Sequence, residues 1–88
     1  MKPIASLTQF AVLAKVAESG GLSSAARELG MTPSAVSKSL AQLEEQLGVS
    51  LVRRTTRSVT LTTHGKLFFQ RVSRILADVE DTLDEVGD

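Results

Sequence analysis

The chain has 88 residues, of which 42% are hydrophobic and 23% charged, and it contains no cysteine. This length makes one domain with a modest core, and the lack of cysteine excludes a disulfide framework or a thiolate metal site. Its apolar runs are too short to span a membrane, and no signal peptide opens the chain, so we expect a cytoplasmic protein. Three aromatic residues, Phe10, Phe68 and Phe69, are too few for single-strand binding by base stacking.

The formal net charge is zero, but the charges are unevenly distributed. Residues 1–52 carry four basic and four acidic side chains, residues 53–74 carry six basic and no acidic ones, and residues 78–88 carry six acidic and no basic ones. Separation along the sequence lets a local positive field exist although the total cancels. A zero net charge therefore does not exclude a nucleic acid as the partner.

Two short helices are predicted in the first third of the chain. Ser6 and Gln9 have the spacing of a capping box, and the apolar residues that follow predict a first helix ending at residues 19–21. A second helix is predicted from a cap at Ser23 to a stop at Gly30. Its paired alanines allow close approach of another helix, as the corner of a helix-turn-helix requires.

The stretch from Gly30 to Gly48 predicts a third helix, with Thr32 as its cap, Pro33 at its first position and Gly48 as its stop. One narrow stripe of the helical wheel is apolar and comprises Val36, Leu40, Leu43 and Leu47. The opposite face is small, hydroxylic and basic and comprises Ser34, Ser37, Lys38 and Ala41. A DNA major groove admits such a helix, but an ordinary amphipathic helix with a small-residue face has the same pattern.

After Gly48 the pattern changes to two short β-prone runs, residues 51–54 and 59–61, on either side of residues 55–58. They predict a small hairpin, or wing, with Arg54 and Arg57 at or near its tip. A surface loop with solvated arginines is the alternative for any one of these residues. Three arginines in five residues directly after a helix-turn-helix favour the wing.

Thr62 is predicted to cap a last helix that extends from about Thr63 to near Val86. Apolar and β-branched residues recur there at heptad spacing, at Phe68, Val72, Ile75, Val79, Thr82 and Val86, with Phe69, Leu76 and Leu83 beside them. The helix would be roughly 35 Å long and would overhang so small a core. Packing along its own domain accounts for residues 67–75 but not for residues 79–86, so pairing with a second copy is predicted.

Several short motifs follow one another along the chain: Leu7-x-x-Phe10, Ala25-Ala26, Leu29, Ser34-Ala35-Val36-Ser37-Lys38, Leu43-Glu44-x-x-Leu47-Gly48 and Leu51-Val52-x-Arg54-x-x-Arg57-x-Val59-x-Leu61-Thr62-x-x-Gly65. Together they resemble the N-terminal DNA-binding region of LysR-type transcriptional regulators. The resemblance implies a winged helix-turn-helix and a long linker helix that pairs antiparallel with that of a partner, in dimers that assemble into tetramers. It also implies a C-terminal effector-binding domain, which is expected to be missing here. A small-molecule effector would act only through that domain.

The resemblance also implies roles for individual residues. Ser37 and Lys38 match the serine of the recognition helix and the basic residue after it, and Arg54 and Arg57 match two wing arginines, of which Arg57 enters the minor groove. Ser23 is a candidate phosphate anchor. With the residues at the helix starts and on the outward face of the third helix included, the predicted DNA-binding residues are Ser23, Thr32, Pro33, Ser34, Ser37, Lys38, Arg54, Thr56 and Arg57.

Four positions depart from the family pattern. Pro33 stands where the family often has glutamine, and Ser34 where it often has proline. Since glutamine can read adenine bidentately and proline has no donor, that base contact is not carried over. Lys38 replaces an arginine fork with a point charge, which makes a guanine contact less geometrically exacting. Val52, where phenylalanine is preferred, is expected to be a tolerated core substitution.

The sequence thus predicts a mainly α protein, with a winged helix-turn-helix of three helices and a two-stranded β wing at 1–62 and a dimerisation helix at 63–88. It would bind double-stranded DNA as a homodimer, without a cofactor or metal. The residues predicted to form the dimer contact are Phe68, Val72, Ile75, Leu76, Val79, Leu83 and Val86. The single histidine, His64, is predicted to be a surface or cap residue rather than a catalytic one. The alternatives are a coiled-coil interaction module whose basic wing binds an acidic protein, and a winged-helix regulator of another family such as the MarR type.

Overall fold

Four helices and a two-stranded sheet make up the fold in the computed structural model, which describes residues 5–55 and 58–87. In chain order the elements are α1 (Leu7–Ser19), α2 (Leu22–Leu29), α3 (Pro33–Leu47), β1 (Val52–Arg54), β2 (Val59–Leu61) and α4 (Thr63–Val86). The predicted fold class, a mainly α winged helix-turn-helix followed by a long helix, is confirmed.

Local capping chemistry determines where α1 and α3 begin. The Ser6 hydroxyl accepts from the Gln9 N–H at 3.2 Å, and the Gln9 side chain accepts from the Ser6 N–H at 2.9 Å, which completes the predicted capping box. Thr32 Oγ1 accepts from the Ala35 N–H at 3.1 Å, and Pro33 takes the first helical position. These caps confirm the predicted helix starts, because each needs only residues three positions apart.

The start of α2 corrects the sequence prediction. The cap is Gly21 rather than Ser23, so the helix begins at Leu22, two residues earlier than predicted. Leu22 packs against the core, which draws it into the first turn, and Ser24 Oγ donates back to the Gly21 carbonyl at 3.3 Å. Ser23 therefore lies inside the first turn, exposed, with a hydroxyl that caps nothing.

The corner between α2 and α3 is built on small residues. Ala25 and Ala26 are fully or almost fully buried, which lets the helices approach closely as predicted. Gly30 ends α2 with φ +67°, a left-handed conformation that glycine adopts without strain, and the Met31 N–H then donates to the Ala26 carbonyl at 2.9 Å. The core inside this corner comprises Val12, Leu13, Val16, Ala25, Ala26, Val36, Leu40, Leu43, Leu51 and Val52.

The wing is a short antiparallel hairpin that pairs Val52 with Leu61 and Arg54 with Val59. Its second strand is joined to the turn between α1 and α2, because the Val59 N–H donates to the Gly20 carbonyl at 3.0 Å. Burial of Val52 confirms that it is a core residue. The hairpin is thereby held against the helical domain.

The first turn of α4 packs directly on the backbone that leads into β1. Thr62 Oγ1 caps α4 by accepting from the Gly65 N–H at 2.9 Å, and it donates to the Ser50 carbonyl at 2.7 Å. Gly65 is buried because its backbone lies against Leu51. One turn further on, Phe68 meets the Phe10 ring edge to face, with ring centroids 5.5 Å apart. The proximal half of α4 is thus part of the domain core.

The last two turns of α4 extend past the domain, since residues 80–86 are all exposed. At 1.5 Å per residue, the 24 residues of the helix span about 36 Å. Ile75, Leu83 and Val86 are 43%, 65% and 81% exposed, although all three side chains are large and apolar. In the described part of the chain no helix is both long and apolar enough to cross a membrane.

Candidate nucleic-acid interface

The outward face of α3 is polar and, apart from Lys38, carries only small side chains in its first two turns. Ser34, Lys38 and Ala41 are exposed and Ser37 is half-buried, while Val36, Leu40 and Leu43 on the other side are completely buried in the core. The Thr32 cap and Pro33 are exposed at the start of the same helix. The apolar stripe and the polar face therefore point in the directions that the helical periodicity predicts.

One backbone donor at the start of α3 remains unused. Pro33 has no N–H, and the N–H groups of Ala35 and Val36 are bonded to the side chain and the carbonyl of Thr32. Ser34 is left as the first-turn residue whose N–H has no partner among the residues described. An unpaired N–H at a helix N-terminus is a favourable contact for an anionic oxygen.

The N-terminus of α2 offers more unpaired donors. Its Gly21 cap has no side chain to occupy them, so the N–H groups of Leu22, Ser23 and Ser24 have no acceptor within the described residues. The exposed Ser23 hydroxyl lies in the same place. This helix end opens onto a shallow cleft of about 410 Å³ that is also lined by Arg27, Thr55 and Ser58. The cleft joins the helix-turn-helix to the base of the wing.

A hydrogen bond connects the wing to the outward face of α3. Arg54 Nη1 donates to Ser37 Oγ at 2.8 Å, between two exposed side-chain ends. Thr55 and Ser58 close the hairpin, since the Thr55 N–H donates to the Ser58 carbonyl at 2.9 Å. The predicted contact residues Thr56 and Arg57 lie outside the described residues.

The basic side chains that follow α3 in the sequence are not neutralised by ion pairs among the described residues. Among the described residues, the ion pairs are those of Lys15 with Glu18 and Glu28, at 3.4 and 3.8 Å. The described basic residues of 53–74 are all exposed and form no such pair: Arg53, Arg54, Lys66, Arg71 and Arg74. Their charge is available to a polyanion.

The predicted dimerisation residues divide into three groups. Phe68 and Val72 pack within their own chain, and Val72 is only 1% exposed. Leu76 and Val79 are half-buried beside a cleft between α1 and α4. Ile75, Leu83 and Val86 are the most exposed members of the set.

Sequence reasoning gave Glu44 no role, although it connects α3 to the wing. Its Oε2 accepts from the backbone N–H groups of Leu51 and Val52 at 2.7 and 3.2 Å, which anchors the start of β1. The position of an acidic residue beside the buried stripe of α3 was the available signal. His64 is exposed, and no group of three or more potential metal ligands occurs among the described residues.

Comparison with known proteins gives a consistent answer. A family model described as "Bacterial regulatory helix-turn-helix protein, lysR family" matches residues 7–66. The HTH-type transcriptional regulator DmlR of Escherichia coli K12 is 43% identical over 82 residues, which are 93% of this chain and 27% of that protein. The chain thus spans about a quarter of the length of this curated relative.

Two solved structures with similar folds are complexes with DNA. The CbnR DNA-binding domain bound to DNA superposes with a TM-score of 0.85 at 30% identity, covering 91% of this chain and 92% of that one. The BenM DNA-binding domain on catB site 1 DNA gives 0.87 at 28% identity, with coverage of 91% and 89%. With the family match across the whole winged helix-turn-helix, these similarities establish that the chain belongs to the LysR family of bacterial regulatory helix-turn-helix proteins and comprises a DNA-binding domain of that family.

Proposed function

We propose that this chain reads a specific sequence of double-stranded DNA for a bacterial transcriptional regulator. The observation that carries this proposal is the polar face of α3, together with the unpaired donors at the start of α2 and the bond from the wing residue Arg54 to Ser37 on that face. The major groove of B-DNA is about 12 Å wide and admits a helix. In this arrangement α3 enters it with its N-terminal end first.

Phosphate contacts fix the orientation of the domain on the duplex. Three N–H groups and the hydroxyl at the start of α2, around Ser23, bind one backbone phosphate, and Arg27 adds charge to the same cleft. The unpaired Ser34 N–H and the Thr32 hydroxyl serve a second phosphate at the start of α3. Because Ser23 does not cap α2, its hydroxyl is free to donate to the phosphate at the start of that helix.

Base edges are read from the exposed side chains of α3. Ser34, Ser37 and Lys38 lie on the outward face within two turns of the N-terminus, the part of a recognition helix that reaches deepest into the groove. Pro33 contributes shape only, because it has no donor. The ammonium of Lys38 reaches guanine O6 or N7 as a point charge, with less angular discrimination than an arginine fork.

The wing supplies a second contact. By the resemblance, Arg57 enters the minor groove, where narrow A/T-rich segments have the strongest negative potential, and Thr56 contacts the adjacent backbone. The arginine content of residues 53–57 supports this assignment. Residues 1–62 would thus be the DNA-binding domain.

The dimer is proposed to form through α4 (Thr63–Val86), within the predicted dimerisation segment 63–88. Its last apolar side chains, Leu83 and Val86, are largely exposed, and its charges are placed against the helix dipole, with no acidic residue in the first turn and no basic one in the last. Antiparallel pairing with a second copy would cover Leu83 and Val86. It would also bring the acidic half of each helix beside the basic half of the other, which compensates both defects.

Two substitutions test this dimer. Replacement of Val79 and Leu83 together by Asp is expected to reduce the mass in light scattering to that of a monomer. Gln70→Asp with Ala77→Asp, exposed positions on the opposite face of α4, adds the same charge and should leave the dimer intact. A wild-type protein that is monomeric at every concentration, or a dimer that survives the first pair of changes, contradicts the proposal.

The whole regulator would act in the bacterial cytoplasm, where its family meets chromosomal DNA, and would form tetramers and sense a small molecule through a domain outside this chain. We assign it no catalytic role. The rival function is a coiled-coil module whose basic wing binds an acidic protein, which accounts for α4 but not for the outward face of α3. Competition between DNA and such a partner for the wing separates the two functions.

Fluorescence anisotropy on a labelled duplex, titrated with salt, tests the proposed function. Log affinity should fall linearly with log salt, with a slope of about 0.9 per phosphate neutralised. A specific operator, selected from a random pool, should then bind about a thousandfold or more tighter than random duplex. No binding at low salt by a protein that is dimeric in light scattering would refute the proposal.

A further inference from the structure

Ser37 and Arg54 are connected before any DNA is bound. Arg54 is the last residue of β1 and Ser37 lies in the second turn of α3, yet the guanidinium and the hydroxyl are 2.8 Å apart. The two residues are 17 positions apart in the sequence, so packing of the wing against α3 creates the contact. Glu44 supports that packing, because it binds the backbone at the start of the same strand.

The direction of this hydrogen bond is determined by chemistry. A guanidinium has five N–H donors and no acceptor, so the Ser37 oxygen must be the acceptor. A hydroxyl has two acceptor lone pairs and one proton, and Arg54 occupies one of the lone pairs. The proton remains free, since Ser37 Oγ has no other hydrogen bond within the described residues.

A cation bonded to the oxygen also changes what the hydroxyl can accept. Hydrogen bonds in a chain polarise one another, so the O–H becomes a stronger donor when its oxygen accepts from a charged group. A second N–H donor that approaches the same oxygen meets the positive charge of Arg54. Ser37 is therefore biased towards donating.

We infer that Arg54 determines the base preference of Ser37, by holding its hydroxyl as a hydrogen-bond donor that selects an acceptor on the base edge and discriminates against cytosine. The inference rests on the proposed entry of α3 into the major groove. Serine alone pairs with donors or acceptors there. Guanine, adenine and thymine all present an acceptor at that edge, whereas cytosine presents its N4 amino donor. Arg54 is in this sense a positioning residue.

The test uses an operator selected with the wild-type protein and then every single-base variant of it, measured by competition. Wild type should discriminate against cytosine at one position by about threefold to tenfold, the effect of one hydrogen bond. Ser37→Ala should abolish that discrimination. Arg54→Met, which keeps an apolar stem but has no donor, should abolish it too, although Ser37 is still present.

Three further variants test whether the effect depends on the bond between Arg54 and Ser37. Adding Arg54→Met to Ser37→Ala should lower affinity for all sequences equally, because no hydroxyl remains to be oriented. Arg54→Lys should restore part of the discrimination, since an ammonium is also a donor without an acceptor. Arg53→Met, the neighbouring exposed arginine, should weaken binding without changing base preference at this position.

Two outcomes would overturn the inference. If Arg54→Met weakens binding to every operator variant by the same factor while the discrimination against cytosine persists, Arg54 is a phosphate contact. If Ser37→Ala leaves the discrimination intact, another residue reads that base. A wild-type protein that binds duplex DNA without any sequence preference would instead refute the proposed function itself, which distinguishes the two failures.

Discussion

Gly65→Ala should destabilise the domain, although alanine is a better helix former than glycine. A Cβ atom at this position would lie 2.9 Å from the carbonyl carbon of Leu51, closer still to its oxygen, and 3.2 Å from Leu61 Cδ2. The Leu51 carbonyl is backbone and accepts from the Thr62 N–H at 3.0 Å, so it cannot rotate away without breaking that bond. The strand and the helix must therefore move apart.

The magnitude follows from two opposing contributions. Alanine gains about 1 kcal/mol of helix propensity over glycine. Overpacking of a filled site costs about 1 to 3 kcal/mol, and this clash with backbone belongs at the upper end or beyond it. We expect a net loss of about 2 kcal/mol in the free energy of unfolding, which lowers Tm by about 8 to 16 °C for a domain of this size.

Thermal and urea unfolding, followed by far-UV circular dichroism, measure this loss. Gly21→Ala is the matched control, because a Cβ there meets nothing closer than Ser24 Oγ at 3.4 Å and its φ of −160° suits any residue. The control should change stability by less than about 1 kcal/mol. A Gly65→Ala protein as stable as wild type would refute the close approach of α4 to the β1 entry.

Three other substitutions test separate features. Glu44→Ala leaves the two N–H groups that enter β1 without their acceptor and should cost about 1 to 3 kcal/mol in urea unfolding, whereas the exposed Glu45→Ala should be nearly neutral; equal effects would contradict the anchoring role. Gly21→Ser gives α2 a side-chain cap and should raise stability by about 0.5 to 1 kcal/mol, and an unchanged Tm would count against this gain. Arg57→Ala should weaken binding mainly at operators with an A/T-rich flank; a uniform loss would make it a phosphate contact.

Much of the backbone is determined by short-range chemistry and is therefore readable from the sequence. The starts of α1, α3 and α4 depend on caps at Ser6, Thr32 and Thr62, whose partners lie three residues on. The polar face of α3 follows from helical periodicity alone. Membership of the family was also predictable, because its motifs occur in order from Leu7 to Gly65, within the residues 7–66 that the family model matches.

Features that join distant segments depended on the tertiary structure. α2 begins at Leu22 because the core draws that side chain in, a contact that no local signal at Ser23 reveals. Likewise, the hydrogen bond between Arg54 and Ser37 exists only once the wing packs on α3. Local sequence determines how each helix begins and which face is polar, since those interactions span one turn. Packing decides which side chains from different elements meet, and so in which hydrogen-bonding state Ser37, a residue proposed to read DNA, is presented.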